Sequence, residues 1–325
     1  MSTMAHDAEK VASADAAARL SAGLMFAVVS AVSFGLSGAL ARGLLETGWS
    51  AGAMTLVRIS LGAAALTPFG LLALRGRWVL LRRNLALLVG YGVVAVAGAQ
   101  FCYFSAVQHM QVGPAILIEF TAPAAVVVFL WLRRGQRPGR MTLAGAVLAA
   151  LGLVLVLDLV SGADLSVRGV AWALGAMVGC ATYFIISADE DNGLPPLVLA
   201  WVGLLVGALA LGLLALVGLL PMHGSTEATS YAGVDLPWWV PLVLLGLVTC
   251  AVSYVAGIAA GRRLGSRLAS FVALLEVLAS VGWAWLLLDE LPGAVQLVGG
   301  LLILAGVVAV KLGEDSVTRT APAPA

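Results

Sequence analysis

The sequence predicts an all-α polytopic membrane protein with ten transmembrane helices arranged as two inverted five-helix repeats. Three observations support this fold class: an apolar composition, ten apolar stretches, and an internal repeat whose copies differ in loop charge. Of the 325 residues, 61% are hydrophobic and 11% are charged, whereas a soluble domain carries about 25% charged residues. This composition excludes a soluble enzyme, and the net charge of +1 gives no basic surface for nucleic acid.

The apolar stretches are each close to the roughly twenty residues that cross a bilayer as one helix. They cover residues 22–41, 51–74, 84–106, 112–132, 141–159, 169–187, 196–220, 238–260, 268–288 and 294–311. The first stretch is too long for the apolar core of a signal peptide. The flanking segments 1–20 and 313–325 are predicted to be disordered cytoplasmic tails, because the first is polar and the second ends in an Ala/Pro run.

The distribution of Lys and Arg predicts that both termini face the cytoplasm. Nearly all basic residues outside the spans fall on the side of the N-terminus, which leaves Arg42 and Arg168 on the opposite side. Cytoplasmic loops carry such an excess of Lys and Arg. An even number of spans then returns the C-terminus to the same side of the membrane.

An internal repeat becomes visible when the chain is shifted by 154 positions. Residues 92–157 then align with 246–311 without a gap. The matched pairs include Trp131 with Trp285 and Pro138-Gly139 with Pro292-Gly293. The alignment predicts a first five-helix repeat over 21–160 and a second over 161–312.

The loops of the two repeats indicate that the second repeat is inverted. An odd number of spans per repeat makes the second copy enter the membrane upside down. The loop 133–140 is basic, whereas its counterpart carries Asp289 and Glu290. Inverted repeats of this kind are typical of secondary transporters, which bind substrate near the bilayer midplane between the repeats.

Three charged residues, Arg58, Glu119 and Glu276, lie well inside predicted spans rather than at their ends; at the bilayer centre a charge costs at least about 2.5 kcal/mol. At a rise of 1.5 Å per residue, Arg58 and Glu119 lie roughly 10 Å below the outer face, and Gln100 lies at a similar depth. Arg58 can hold a substrate carboxylate bidentately, while Glu119 can hold an ammonium. An α-amino acid would satisfy both. Alternatively, Arg58 and Glu119 pair with each other and fix helix packing.

Glu119 and Glu276 are also the candidates for proton coupling. Glu276 lies about 12 Å from the inner face, where a carboxylate can take up and release a proton during transport. The alternative is a structural Glu276 that is hydrogen-bonded within the bundle or placed at the wet floor of a cavity.

Four further residues are candidate lining residues of a binding cavity: Tyr103, Thr121, Tyr183 and Tyr254. The tyrosines combine an apolar ring with a polar tip, although such residues also serve as packing or interface anchors. Thr121 lies next to Pro123, which removes one helix hydrogen bond and predicts a break or kink beside Glu119.

No metal site and no cofactor are predicted. Cys102, Cys180 and Cys250 lie in separate apolar stretches, and neither they nor the three histidines have the spacing of metal ligands.

Over residues 20–312 the chain resembles the EamA type of the drug/metabolite transporter superfamily. Span 2 carries Thr55-Leu-Val-Arg58, similar to the family's Arg near the start of its second helix, and span 9 carries Glu276-Val277 where the family usually has Glu-Pro. A narrower resemblance, to the threonine/homoserine exporter branch, rests on one segment. It comprises Gln108, Gly113, Glu119-Phe120-Thr121 and Pro123, with Ala122 replacing a Gly. The resemblance implies inner-membrane export of amino acids or similar metabolites, driven by protons.

Other functions remain open at this point. A multidrug, cation or other metabolite exporter of the same superfamily would keep the fold and change the cargo. An intramembrane enzyme would need a nucleophile and base or metal ligands at depth, and a non-transporting scaffold would need no cavity. The expected partners are a small-molecule substrate, the lipid bilayer and protons, without nucleic acid; a homodimer is an open alternative.

Overall fold

The computed structural model describes residues 2–109, 112–134, 139–156, 166–288 and 294–319, and most of them are helical. The helices are α1 (Ser2–Glu46), α2 (Ala51–Ala73), α3 (Val79–Arg83), α4 (Leu85–Gly90), α5 (Ala99–His109), α6 (Val112–Glu119), α7 (Ala122–Arg134), α8 (Arg140–Val156), α9 (Val167–Ala188), α10 (Pro196–Leu216), α11 (Trp239–Gly246), α12 (Ser253–Val272), α13 (Leu275–Leu288) and α14 (Ala294–Arg319). The π-helical segments Tyr91–Gly98 and Leu247–Val252 join α4 to α5 and α11 to α12.

Six helical stretches among the described residues are long and apolar enough to cross a membrane. They are Asp15–Glu46, Ala51–Ala73, Leu85–Ala106, Val167–Ala188, Pro196–Leu216 and Trp239–Val272. Shorter apolar helices cover Arg140–Leu155, Leu275–Leu288 and Leu297–Val310. The structure therefore confirms a polytopic, all-α membrane protein, and it gives fewer membrane-length helices than the ten spans predicted from the sequence.

Interruptions of the helices account for part of this difference. The predicted span 112–132 is split into α6 and α7, with a turn at residues 120–121. Two other predicted spans, 238–260 and 268–288, share α12, which contains Gly265 at φ 77° and ψ 161°. This conformation is not helical, and it favours glycine because the backbone has a positive φ. Helical geometry therefore stops at Gly265, between the two predicted spans.

The predicted tails differ from the structure. Helix α1 begins at Ser2, so the segment 2–20 is helical rather than disordered. Its many alanines explain the difference, because Ala has the highest helix propensity. Residues 313–319 likewise form the end of α14, while 320–325 lie outside the described residues.

Helices α8 and α14 pack together through pairs of glycines. A Cβ at Gly145 would lie 2.6 Å from the Gly306 carbonyl oxygen, and a Cβ at Gly152 would lie 2.5 Å from that of Gly299. The two helices are antiparallel, because the earlier glycine of α8 meets the later glycine of α14. The shift of 154 carries Gly145 to Gly299 and Gly152 to Gly306, so each contact is the counterpart of the other. Reciprocal contacts of this kind are characteristic of a two-fold relationship.

The two π-helical segments also correspond to each other after a shift of 154 positions. Adding 154 to Tyr91–Gly98 gives residues 245–252, which contain the second π-helical segment, Leu247–Val252. π-Helical turns are rare and often occur at functional sites. Their coincidence at matched positions therefore marks a feature that the two halves share.

A β-hairpin covers one end of the bundle, where the sequence predicts a loop over residues 221–237 too short to fold alone. Strands β1 (Thr229–Tyr231) and β2 (Val234–Leu236) pair antiparallel. The turn residues Ala232 and Gly233 have φ of 48° and 76°, which suits a type I′ hairpin turn. The sequence signal for this hairpin is weak, because Ala-Gly is a weaker turn signal than Asn-Gly.

The hairpin is anchored to the helices by Tyr231. Its hydroxyl donates a hydrogen bond to the Leu40 carbonyl oxygen of α1 at 2.7 Å, and the Ala232 amide donates to the Leu287 carbonyl oxygen of α13 at 2.7 Å. The Tyr231 ring joins a buried apolar cluster that includes Leu44 and Phe104. We call this the hairpin-end cluster; its buried members are Leu40, Ala41, Leu44, Ala51, Met54, Phe104, Tyr231, Leu242 and Leu245.

Replacing Tyr231 with Phe is expected to lower the free energy of unfolding by about 1 kcal/mol, because the Leu40 carbonyl oxygen loses a buried hydrogen bond. Burial raises the pKa of Tyr231 to about 12. A raised pKa contributes stability that is complete below the ordinary value of 10 and is lost as the pH rises toward 12. Thermal unfolding in detergent checks both effects, with the exposed neighbour Ser230→Ala as control. A Tyr231→Phe variant as stable as that control would contradict the anchoring role.

Candidate substrate site

A cavity lies between helices of the two predicted repeats. Its volume is about 110 Å³, counted as the space that the centre of a water molecule can occupy. One water needs about 10–15 Å³ by the same count. The cavity therefore suits a small solute. Seven of the eight predicted site residues line it: Arg58, Gln100, Tyr103, Glu119, Tyr183, Tyr254 and Glu276. The structure therefore brings together residues separated by more than two hundred positions in the chain.

Arg58 is held in place by both halves of the protein. Helix α2 begins after Ser50, whose hydroxyl accepts a hydrogen bond from the Ala53 amide, and this cap sets the start of the helix two turns before Arg58. The guanidinium donates to the Thr249 carbonyl oxygen at 2.8 Å. Thr249 belongs to the π-helical segment Leu247–Val252, where the wider hydrogen-bond pattern departs from that of an α-helix.

The Arg58 guanidinium also lies over two aromatic rings. Its Cζ atom is 5.6 Å from the centre of the Phe34 ring and 5.7 Å from that of Phe104, distances at which cation–π attraction operates. The side chain is 2% exposed, and its Nε has no hydrogen-bond partner among the described residues. A buried N–H without a partner is uncommon, so a ligand acceptor at this point would remove an energetic penalty.

The two carboxylates lie beside helix breaks. Glu119 ends α6, and Glu276 is the second residue of α13. Both side chains are half-buried and line the cavity. Within the described ranges, no carboxylate oxygen of either residue lies within 4.0 Å of the Arg58 nitrogens. Arg58 and Glu119 therefore do not form the direct pair that the sequence left as an alternative.

Gln100 and Tyr254 meet at the cavity wall. The Gln100 amide nitrogen donates to the Tyr254 hydroxyl at 2.8 Å, and the two residues are 154 positions apart. Matched positions of a two-fold repeat contact each other only near the axis that relates the copies. The Gln100 Oε1 atom is buried and has no hydrogen-bond partner in the described part of the chain.

Tyr183 supplies a third polar atom without a partner. Its hydroxyl is buried and unpaired among the described residues, although its ring packs edge-on against Tyr254 with centroids 5.4 Å apart. A Cβ at Gly257 would collide with this hydroxyl. The glycine therefore creates the space that the Tyr183 hydroxyl occupies.

Thr121 is the predicted site residue that the structure does not place at the cavity. Its side chain is exposed, and its hydroxyl donates to the Ile118 carbonyl oxygen at 2.7 Å. The predicted helix break is present, since α6 ends at Glu119 and α7 begins at Ala122, with Pro123 in the first turn of α7. Thr121 thus closes the last turn of α6, a common role of Thr at helix ends.

Several lining residues were missed by sequence reasoning. Phe34 and Phe104 flank Arg58, and Cys180 is half-buried at the cavity wall. Apolar aromatic residues in apolar spans give no signal in a single sequence, because packing explains them equally well. Among the described residues there is no group of three His, Cys, Asp or Glu that could hold a metal ion.

A polar network ties three elements together at one end of the cavity. The Arg262 side chain donates to the Ser187 carbonyl oxygen at 2.9 Å and to the Asn192 side-chain oxygen at 3.0 Å. Arg19 donates to Glu190 at 2.7 Å and to the Arg262 carbonyl oxygen at 3.0 Å. We call these five residues the basic-end network. It joins α1, the end of α9 with the α9–α10 connection, and α12. Ser187 and Arg262 lie four and two residues beyond the lining residues Tyr183 and Ala260.

Known proteins are similar to this chain in sequence and in fold. It is 24% identical over 298 residues to the pseudopaline exporter CntI of Pseudomonas aeruginosa, covering 90% of this chain and 96% of that one. It is 29% identical over 240 residues to the threonine/homoserine exporter RhtA of Escherichia coli, covering 71% and 72%. A solved crystal structure superposes with a TM-score of 0.70 at 19% identity, covering 91% of this chain and 98% of that one, which shows a common fold.

The EamA-like transporter family matches residues 21–158 and 167–312. Each matched range falls within one of the two predicted repeats, and together they cover most of the chain. Family membership of this extent separates the protein from intramembrane enzymes. The chain belongs to the EamA-like transporter family.

Proposed function

We propose that the protein is an inner-membrane secondary transporter that exports amino acids or similar small metabolites. The observation that carries this proposal is the cavity in which the buried Arg58 guanidinium lies with the carboxylates of Glu119 and Glu276. A relative whose name states export of threonine and homoserine agrees with this chemistry. Arg58 binds the substrate carboxylate, and one of the two glutamates binds its ammonium.

The transporter has ten transmembrane helices in two inverted five-helix repeats. The reciprocal glycine contacts of α8 and α14 support this arrangement, and so does the coincidence of the π-helical segments after a shift of 154. In this arrangement α6 and α7 form one broken span, and Gly265 separates two spans within α12. Both termini face the cytoplasm, where the excess of Lys and Arg belongs.

Transport proceeds by alternating access around the central cavity. Two closures would separate in turn: the basic-end network on the cytoplasmic side and the hairpin-end cluster on the outer side. Phe104 belongs to the cavity wall and to the hairpin-end cluster, which connects the occupied site with one of the closures.

Loosening the basic-end network is expected to open the cavity toward the cytoplasm. An Arg262→Gln variant loses hydrogen bonds from a charged donor to Ser187 and Asn192, each worth about 1.5–3 kcal/mol. With Cys180 as the sole cysteine, we expect a charged thiol reagent added from the cytoplasmic side to react with it about tenfold faster in Arg262→Gln than in the protein that retains Arg262. The matched control is Arg263→Gln, whose side chain contacts Ala259 and Phe26 instead. Equal rates in the two variants would contradict the closure.

In a proton-coupled cycle, Glu119 or Glu276 carries the proton that drives transport. In proteoliposomes with an imposed pH gradient, we expect the wild type to accumulate labelled threonine above its equilibrium level. The glutamine variant of the coupling residue keeps exchange without a gradient and loses this accumulation, because an amide cannot carry the proton. Wild-type protein that exchanges threonine and ignores the gradient would contradict proton coupling.

The function itself is tested by counterflow in proteoliposomes. Vesicles are preloaded with one unlabelled amino acid at a time, and the entry of labelled threonine is followed, with protein-free liposomes as control. Transient accumulation with a subset of amino acids supports an amino acid carrier. Its absence with folded protein would remove amino acids as the cargo and leave the drug or cation exporter, which the buried guanidinium of Arg58 disfavours.

A further inference from the structure

The charges around the cavity do not cancel. Its lining contains one guanidinium, Arg58, and two carboxylates, Glu119 and Glu276, and no Lys, His or Asp among the described residues. The other titratable groups of the wall are uncharged in their ordinary state at neutral pH; they are Tyr103, Tyr183, Tyr254 and Cys180. With all three ionisable groups charged, the empty site therefore carries one negative charge.

An unbalanced charge in a site away from bulk water is costly, and a ligand of opposite charge reduces that cost. A neutral amino acid is a zwitterion and brings no net charge. It leaves the site balanced only when one carboxylate also takes up a proton. An amino acid with a second cationic group brings the missing charge itself.

The two carboxylates reach the cavity from different helices. Glu119 lies on α6 of the first predicted repeat, and Glu276 lies on α13 of the second, so they approach the cavity from different elements. Arg58 lines the same cavity, and its Nε is buried without a hydrogen-bond partner in the described residues. Gln100 also lines the cavity, and its Oε1 has no hydrogen-bond partner in the described residues.

The wall between these groups suits an aliphatic stem. Phe34, Tyr103 and Phe184 line the same cavity as the charged residues. Methylene groups of a long side chain are stabilised by burial against such surfaces. The cavity thus combines one guanidinium, two carboxylates and an apolar wall.

We infer that the preferred substrates are dibasic amino acids, whose α-carboxylate binds Arg58 and whose two cationic groups bind Glu119 and Glu276. This inference rests on the proposed function and narrows its substrate class. A dibasic amino acid itself supplies the positive charge that a neutral amino acid can supply only together with one proton.

Competition against the counterflow of labelled threonine tests the inference. Lysine and norleucine form a matched pair, because they share the same four-carbon stem and differ in the terminal ammonium. We expect lysine to inhibit threonine entry at an about tenfold lower concentration than norleucine. Raising the pH from 6 to 8 is expected to weaken the inhibition by norleucine and not the inhibition by lysine, because only the neutral amino acid needs the added proton.

Variants locate the preference in the cavity. In Glu119→Gln and Glu276→Gln proteins, the lysine advantage over norleucine is expected to fall toward one, because the site has lost its negative charge. Glu227→Gln serves as the control, since Glu227 is exposed in the loop that precedes the hairpin. Elution as a single monodisperse species shows that each variant is folded.

The outcomes separate this inference from the proposed function. Threonine counterflow with no advantage of lysine over norleucine would overturn the dibasic preference and leave the amino acid exporter standing. Lysine preferred equally in wild type and in both cavity variants would overturn the assignment to Glu119 and Glu276. Folded protein that exchanges no amino acid would overturn the proposed function together with the inference.

Discussion

The Arg58→Gln variant is expected to lose amino acid exchange, with a substrate affinity about 10–150-fold lower than that of the wild type. A hydrogen bond from a charged donor contributes about 1.5–3 kcal/mol, and each 1.4 kcal/mol is a tenfold change in affinity. Glutamine removes the positive charge that balances the substrate carboxylate in a buried site. The concentration dependence of threonine counterflow measures this loss.

Arg58 also has a structural role, because it donates to the Thr249 carbonyl oxygen. An Arg58→Lys variant separates the two roles, since it keeps the charge and loses the planar fork that matches a carboxylate. We expect this variant to fold and to exchange at an intermediate affinity. The exposed Arg168→Gln is the control for surface charge. Normal exchange by folded Arg58→Gln protein would contradict the assignment of the carboxylate site.

Introducing leucine at Gly145 or Gly306 is expected to destabilise the protein by about 1–3 kcal/mol or more, because the new side chain enters a backbone contact. A Cβ at Gly306 already approaches the Gly145 carbonyl oxygen to 2.7 Å. Thermal unfolding in detergent measures the effect. Gly212→Leu is the matched control, since a Cβ at Gly212 meets nothing within 4 Å in another apolar helix.

The same series tests the two-fold relationship. Gly152 is predicted to behave like Gly145, because each of these α8 glycines contacts the α14 glycine that corresponds to the other. Unfolding temperatures of the Gly145 and Gly306 variants equal to that of Gly212→Leu would contradict the close packing of α8 and α14.

The apolar helices and the charged residues that line the cavity could be predicted from the sequence because each prediction rests on a strong energetic rule. A charge inside a membrane span is rare and needs a partner, so Arg58, Glu119 and Glu276 stood out. Gln100 followed from its depth. The helix break beside Glu119 followed from Pro123, whose missing amide hydrogen weakens the helix.

Other features depend on contacts that a single sequence does not display. The two rings around Arg58 come from α1 and α5 and meet only in the folded bundle. Thr121 was predicted as a site residue because it lies beside Glu119, but its hydroxyl donates a hydrogen bond to the preceding helical turn. The hairpin at Thr229–Leu236 depends on anchors at Leu40 and Leu287, distant positions that its own residues do not reveal.

The central claim is that the cavity between the two halves holds the transported substrate, and Cys180 allows it to be tested directly. Cys180 is half-buried at the cavity wall. Substitution of Cys102 and Cys250 by Ser leaves Cys180 as the sole cysteine. The measurement is the rate at which a small maleimide alkylates Cys180 with and without a transported amino acid. Occupancy of the cavity predicts that alkylation slows several-fold at saturating substrate and returns to the basal rate in Arg58→Gln. An unchanged rate in protein that still exchanges the same amino acid would contradict the claim.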